Sequence, residues 1–303
     1  MLTAGALLPG AMTEVLAAGF ESIQQGLVKI VWLQGQSCSG CSVSLLNTRS
    51  PEPADLLTRY ISLVFHQSIG AAQGKTAMDI LDTMGREKDY ILVVEGAIPM
   101  KMPEACTMGG RPFEQVLKAL IPNAAFVVAE GTCSAFGGIP AAEGNPTGSA
   151  SVREFMEANR LPTEKRLLNL PGCPGHPITI VGTLAYLAAK GYPNKIHPQL
   201  LTPDMFFNNS THDECPRFHY YEREEYAAYL GDPHGCLFKL GCLGPLTFNQ
   251  CPHRQWNSGI NWCIRAAAPC ISCSSPDFAK RKSLAFYRKS EKYLGQTAEN
   301  RKG

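Results

Sequence analysis

Twelve cysteines occur in this 303-residue chain, and eleven of them, joined by one histidine, form three groups of four with the spacing of metal or cluster ligands. The first is Cys38, Cys41, Cys133 and Cys173. The second is His212, Cys215, Cys236 and Cys242, and the third is Cys251, Cys263, Cys270 and Cys273; Cys106 is left over. Thiolates bind iron-sulfur clusters as readily as zinc, so three such groups in one chain read as a row of redox centres more naturally than as three structural ions. Taken alone, the second group, three thiolates and an imidazole, is an equally good zinc site. The third is a four-thiolate set typical of iron-sulfur ligation. Eight residues separate Cys242 from Cys251, which makes the second and third groups close neighbours.

Positioning the first group is a matter of topology. Apolar runs at Leu27 to Leu33, Tyr60 to Phe65, Tyr90 to Val94, Ala124 to Ala129 and Leu167 to Leu170 alternate with helical patterns at Ala54 to Tyr60, Thr76 to Met84, Phe113 to Leu120, Val152 to Asn159 and Ile178 to Lys190. Continuous apolar strands alternating with helices predict an α/β fold with a doubly wound parallel sheet covered on both faces. Ligands in such sheets collect outside the carboxyl ends of the strands. Cys38 and Cys41 follow the first run, Cys133 follows the fourth, and Cys173 follows the fifth. Topology alone therefore brings together four thiols separated by 2, 91 and 39 residues. Gly35, Gly40, Gly131 and Gly172 allow tight loops whose N–H groups can point at a cluster.

Bulk properties exclude other classes. The formal net charge is +2, with 18% charged and 45% hydrophobic residues, so no overall charge drives binding to nucleic acid. No apolar run reaches the roughly 18 residues needed to cross a bilayer. Cysteines in Cys-x-x-Cys pairs and Gly/Pro-rich loops of a long chain read as reduced ligands rather than disulfides. Four segments are expected: an apolar extension over 1–26, a sheet domain over 27–192, a loop-rich ligand-bearing domain over 193–279 that opens with a Pro-rich linker at Pro193 to Pro203, and a basic tail over 280–303 that reads as solvated. His66, His176, His197, His219, His234 and His253 read as ordinary polar or core histidines, with His176 near enough to Cys173 to hydrogen-bond beside the first group. Cys106 reads as a small buried hydrophobe. Gly70 to Thr76 ends in Gly-Lys-Thr, but Ile69 stands where a phosphate loop needs glycine.

With these residues in view, the chain resembles the small subunit of nickel-iron hydrogenases. The resemblance is carried by Trp32 to Ser42, Val94-Glu95-Gly96, Gly131 to Gly138, Pro171-Gly172-Cys173-Pro174, Leu240 to Pro245 and Pro269 to Phe278. It implies a flavodoxin-like first domain and a cluster-binding C-terminal domain. It also implies three 4Fe-4S clusters: proximal on Cys38, Cys41, Cys133 and Cys173; distal on His212, Cys215, Cys236 and Cys242; medial on Cys251, Cys263, Cys270 and Cys273. No catalytic residue lies on this chain, since the Ni-Fe centre of the family belongs to a partner large subunit. Many members have proline where Cys263 stands and hold a 3Fe-4S medial cluster. The fourth thiolate here implies a cubane of lower potential, as in the selenium-containing relatives. Oxygen-tolerant members add cysteines where this chain has Gly40 and Gly138, so an ordinary proximal cubane is expected.

The resulting expectation is an electron-transfer subunit for H2 oxidation or proton reduction. The lack of an export signal and of a membrane helix suggests a cytoplasmic complex with a flavin- and iron-sulfur-containing, NAD- or ferredoxin-linked acceptor. A periplasmic uptake subunit feeding a cytochrome, its export signal removed before Met1, is the alternative. A stand-alone iron-sulfur carrier and a zinc-stabilised binding module are the readings from other classes.

Overall fold

A computed structural model describes residues 28–279. The expected 1–26 extension and 280–303 tail lie outside the described residues. Five parallel strands form the central sheet: β1 (Lys29–Gln34), β2 (Ser62–His66), β3 (Ile91–Glu95), β4 (Phe126–Glu130) and β5 (Leu167–Leu170). Their spatial order is β2-β1-β3-β4-β5, the doubly wound order found in flavodoxin. Each strand falls within one or two residues of its apolar run, because a strand buried on both faces leaves an unbroken Val/Ile/Leu signature.

Both faces are covered. On one, Val31, Leu33, Leu92, Val94 and Val127 pack against α2 (Gly74–Met84), α3 (Phe113–Leu120) and α5 (Val152–Ala158) through Leu81, Leu117 and Phe155. On the other, Ile30, Trp32, Ile91, Val93 and Leu168 pack against α1 (Gly40–Leu45), the turn at Leu56–Tyr60 and α6 (Pro177–Lys190) through Leu45, Leu56 and Leu184. The alternation along each strand between the two cores is the period-2 geometry of a pleated sheet. Helix α5 begins with a capping box between Ser151 and Glu154, which satisfies otherwise orphaned backbone donors.

Two short helices were not expected. α1 follows β1 after a short loop, α4 (Gly131–Phe136) follows β4 directly, and each carries a cysteine of the first group. Their Gly, Ser and Cys content resembles a loop, and six residues are too few for a 3.6-residue period to show.

Beyond α6, the Pro-rich stretch runs along the β5 edge, where the Asn169 N–H donates to the Leu201 carbonyl at 2.9 Å. After α7 (Asp204–Phe207), whose Phe206 and Phe207 complete the second core, regular structure is reduced to short helices including α8 (Phe218–Glu222) and α9 (Cys251–Arg254). The hydrophobic core there is small and includes Cys242 and Cys270 beside Leu237, Trp262 and Ile264. Among the described residues no helix is long and apolar enough to cross a membrane.

Leu117 is fully buried in the first core, whereas Gln115 on the same helix is exposed. Leu117→Ala should therefore cost about 2–5 kcal/mol and Gln115→Ala no more than about 0.5 kcal/mol in chemical denaturation followed by circular dichroism.

Candidate metal centres

At the carboxyl edge of the sheet, Cys38 lies in the loop after β1, Cys41 in α1, Cys133 in α4 and Cys173 in the loop after β5. The four converge: the acidity of Cys133 responds to Cys173 and Cys38, that of Cys173 to Cys38, and that of Cys41 to Cys133. The loops are tied across one another. The Thr132 N–H donates to the Gly172 carbonyl at 2.8 Å, the Gly172 N–H to Thr132 Oγ1 at 2.9 Å, and the Gly175 N–H to Cys41 Sγ at 3.5 Å. Gly131, at φ +80°, admits the Cys41 sulfur; a Cβ there would lie 2.5 Å from it.

Under these thiols lie two acidic side chains that end apolar strands. Glu95 and Glu130 are register partners on β3 and β4, and both are buried. Glu95 accepts from Trp32 Nε1 at 3.0 Å, from the Cys41 backbone N–H at 3.1 Å, and from Ser42 Oγ. Glu130 receives no N–H or O–H donor at either carboxyl oxygen. Burial first and Glu95 second hold its carboxyl well above the usual range, with the Cys41 thiol as the hydrogen-bonding neighbour opposing them. Sequence reasoning quoted Glu95 only as part of a motif and missed Glu130. The signal was a carboxylate closing a buried strand at the ligand-binding edge.

His66, at the end of β2, is part of the same network. Its Nε2 bonds Ser42 Oγ at 3.0 Å, while its Nδ1 accepts from the backbone N–H of Ser68 at 3.0 Å. A second ring proton would oppose that donor, and burial pushes His66 down to about 4 against the opposing pull of Glu95.

His212, Cys215, Cys236 and Cys242 line one enclosed cavity with Phe238 and Ile264. His212 is held edge-on between Phe218 and Tyr221 of α8, at ring separations of 5.0 and 4.6 Å. The Arg217 N–H donates to Cys215 Sγ at 3.4 Å, and its guanidinium bridges the carbonyls of Asp232 and Gly235, closing the loop between Cys215 and Cys236.

Cys251 at the start of α9, Cys263, Cys270 and Cys273 form the third group: Cys251 responds to Cys270 and Cys263, and Cys273 to Cys251 and Cys270. This group lies between the other two. Thr132 Oγ1 donates to the Cys273 carbonyl, and the acidity of Cys273 responds to the Cys173 backbone, which joins the first group to the third. The Cys270 N–H donates to Cys242 Sγ at 3.4 Å, which joins the third to the second. The spatial order is thus first, third, second, although the chain order is first, second, third.

The donor sets fit polynuclear clusters. Burial pushes Cys133, Cys242 and Cys251 up to about 12 and Cys215 to about 11, so these thiols need a cation to become thiolates. Backbone N–H groups from Ile139, Phe238, Gly244 and Ser272 already face sulfurs of Cys133, Cys236, Cys242 and Cys270, the arrangement that a charged sulfur calls for. A zinc tetrahedron would draw sulfurs to about 3.8 Å from one another, given Zn–S bonds near 2.3 Å. Here the four ligands of the second group wall one cavity. Cys106 stands apart beside the first core. Lys75, at the end of the Gly-Lys-Thr stretch, pairs with Asp79 one turn along an exposed helix face.

Around the first group the surface is apolar. Val43 on α1 is 58% exposed and Ile139, just after α4, is 44% exposed; Leu46, which ends α1, is also exposed.

Comparison with known proteins is consistent with this geometry. The family model for the C-terminal part of the NiFe/NiFeSe hydrogenase small subunit matches residues 207–286, and one described as "NADH ubiquinone oxidoreductase, 20 Kd subunit" matches residues 38–187. The chain is 41% identical over 272 residues to the periplasmic [NiFeSe] hydrogenase small subunit of Desulfomicrobium baculatum, covering 84% of this chain and 85% of that one. It is 34% identical over 255 residues to the periplasmic [NiFe] hydrogenase small subunit of Solidesulfovibrio fructosivorans, covering 82% and 78%. A solved structure of the recombinant [NiFeSe] hydrogenase from Desulfovibrio vulgaris Hildenborough superposes with a TM-score of 0.81 at 38% identity, over 86% of this chain and 98% of that one. These relatives overturn the expectation of a cytoplasmic complex, since both small subunits are periplasmic by name. That expectation rested on missing export and anchoring signals, and a processed chain need not retain them. The NAD- or ferredoxin-linked flavoprotein acceptor finds no support among them.

Two outcomes follow from the site. His66 titrates near 6.5 when unfolded and near 4 in the fold, so the unfolded chain binds more protons between those values. Stability should be full above pH 6.5 and fall as pH drops towards 4, by at most roughly 3 kcal/mol; denaturation midpoints of His66→Asn should lose that part of the slope. Gly131→Ala should crowd Cys41 and disturb the first centre, lowering the iron content of the purified chain.

Proposed function

The chain belongs to the small subunits of nickel-iron hydrogenases, the iron-sulfur electron-transfer part of an H2-linked oxidoreductase, and we propose that it relays electrons between a nickel-iron site on a partner large subunit and an external acceptor through three 4Fe-4S clusters. The observation that carries this reading is the pair of junctions, Thr132 Oγ1 to the Cys273 carbonyl and Cys270 N–H to Cys242 Sγ, which string three four-ligand sets into one row. Such clusters, when bound, supply one-electron carriers.

In this reading Cys38, Cys41, Cys133 and Cys173 hold the proximal cluster, Cys251, Cys263, Cys270 and Cys273 the medial one, and His212, Cys215, Cys236 and Cys242 the distal one. The division follows: a flavodoxin-like domain over 27–192 carries the proximal set and 193–279 carries the other two. The large subunit docks on the apolar surface of Val43, Leu46 and Ile139, which covers exposed Cys38 and shields the proximal site from water. Gly40 and Gly138 adjoin the proximal thiols, with Cβ positions 3.1 Å from Cys38 Sγ and 2.9 Å from Cys133 Sγ, and bring no further sulfur, so four cysteines hold an ordinary cubane. The protein's own work is to bury the sites, aim N–H donors at the sulfurs, and keep Glu130 buried beneath Cys41.

The relatives' names support a periplasmic setting, and the acceptor is then an electron carrier such as a cytochrome that meets the distal end. His212 and the aromatic group of Phe218, Tyr221 and Tyr226 form that end.

Anaerobic purification of the heterodimer, with visible and EPR spectra followed on adding H2, tests the reading. Reduction of three 4Fe-4S clusters, with no 3Fe-4S signal on mild oxidation, is expected, and Cys263→Pro should introduce that signal. Protein without iron, or clusters that ignore H2 beside an intact nickel site, would leave a carrier or a structural metal protein.

A further inference from the structure

The loop after Cys173 and the loop after Cys251 meet at His176 and Trp256. His176 is 7% exposed and precedes α6. Its Nδ1 accepts from the Ile178 N–H at 3.2 Å, which leaves the ring proton on Nε2, and Nε2 donates to the Gln255 carbonyl at 2.7 Å. The ring stands edge-on to the Trp256 indole, centroids 4.9 Å apart. Gln255, at φ +52°, is in the left-handed region that a glutamine adopts only under constraint, and Arg265 holds its side chain at 2.8 Å. Trp256 is fixed in turn by a tight hairpin, donating its N–H to the Asn261 carbonyl at 2.6 Å. So held, the indole lies against the small third core, and the Gln255 N–H, donated to the Cys251 carbonyl at 3.0 Å, sets it beside that cysteine, whose acidity the indole raises. None of this is needed merely to ligate iron, since Cys251 is already placed by α9.

We propose that Trp256 tunes the medial centre by donating its indole N–H to Cys251 Sγ, and that His176 is the positioning residue that keeps the indole there. This rests on the reading of the third set as a 4Fe-4S site. A hydrogen bond to a thiolate ligand favours the reduced, more negative state and so raises the potential of that centre. The fourth thiolate, Cys263, acts in the opposite direction, and Trp256 offsets part of its effect. His176 follows the proximal ligand Cys173 by three residues, so one short segment sets the geometry of the proximal site and the tuning of the medial one.

EPR-monitored redox titration of the intact heterodimer tests this. Trp256→Phe keeps an aromatic ring against His176 and removes the donor; its medial midpoint should shift to a more negative potential, with the proximal and distal midpoints unchanged. His176→Leu should shift the medial midpoint in the same direction, and His176→Gln, which restores a donor to the Gln255 carbonyl, should recover most of the shift. A medial midpoint equal to the parent's in Trp256→Phe overturns the proposal. Should Trp256→Phe fail to assemble, parental medial midpoints in both His176 variants overturn it instead. Absence of a medial cluster from the unmodified complex would remove the underlying reading, a failure distinct from an unshifted midpoint.

Discussion

Two hydrogen bonds tie the three sets together: the Thr132 hydroxyl donates to the Cys273 carbonyl, and the Cys270 N–H donates to the Cys242 sulfur. Each bond crosses from one set to the next, so neighbouring sets cannot separate without leaving a donor unpaired, at a cost of about 1–3 kcal/mol. The rest of the structure serves these junctions. The sheet delivers Thr132 and Cys173 to its carboxyl edge, and the loop-rich region wraps so that Cys273 faces the first set and Cys270 the second. Chain order fails to match spatial order for this reason: the last set must thread back between the first two.

Charge beneath the first set is arranged in opposition. Glu95 is satisfied by donors from Trp32, Cys41 and Ser42, whereas Glu130, one register position across on β4, receives none and is pushed towards its neutral form. Two buried carboxylates side by side below four thiolates would repel one another, so one satisfied and one neutral is the arrangement a low-dielectric site can hold. His66 remains neutral beside them because burial disfavours its charged form, and its Nδ1 is already occupied as an acceptor. Ser42 is the link, bonded to both His66 and Glu95. The edge of the sheet is thus a single polar network inside an apolar shell, and its rigidity comes from satisfaction of nearly every member.

What was legible in the sequence follows from the length of each signal. The five strands announced themselves as unbroken apolar runs, and the convergence of Cys38, Cys41, Cys133 and Cys173 followed from parallel topology without any distance being known. Helices α1 and α4 were invisible because six residues of Gly, Ser and Cys carry no period. The middle position of the third set was read from the family resemblance and from no local pattern, because contacts across long sequence separations determine it. Glu130 could have been suspected, as a carboxylate at the end of a fully buried strand. The cellular setting was misjudged because it was inferred from signals that were missing.

The two ends of the row differ in the surface they offer, and that difference bears on what meets them. At the end formed by the first set, Val43, Leu46 and Ile139 are exposed on or beside the helices that carry Cys41 and Cys133, a surface that is costly to leave in water and suits a permanent, extensive, apolar interface. At the distal end His212 lies behind Phe218 and Tyr221, and the surrounding 222–225 segment is exposed and charged through Glu222, Arg223, Glu224 and Glu225. Polar rims of that kind favour fast, reversible encounters over stable association. An electron carrier that must keep one partner and exchange the other needs this asymmetry, and the fold supplies it by placing the proximal set on a rigid sheet edge and the distal set in loops at the opposite end of the cysteine row.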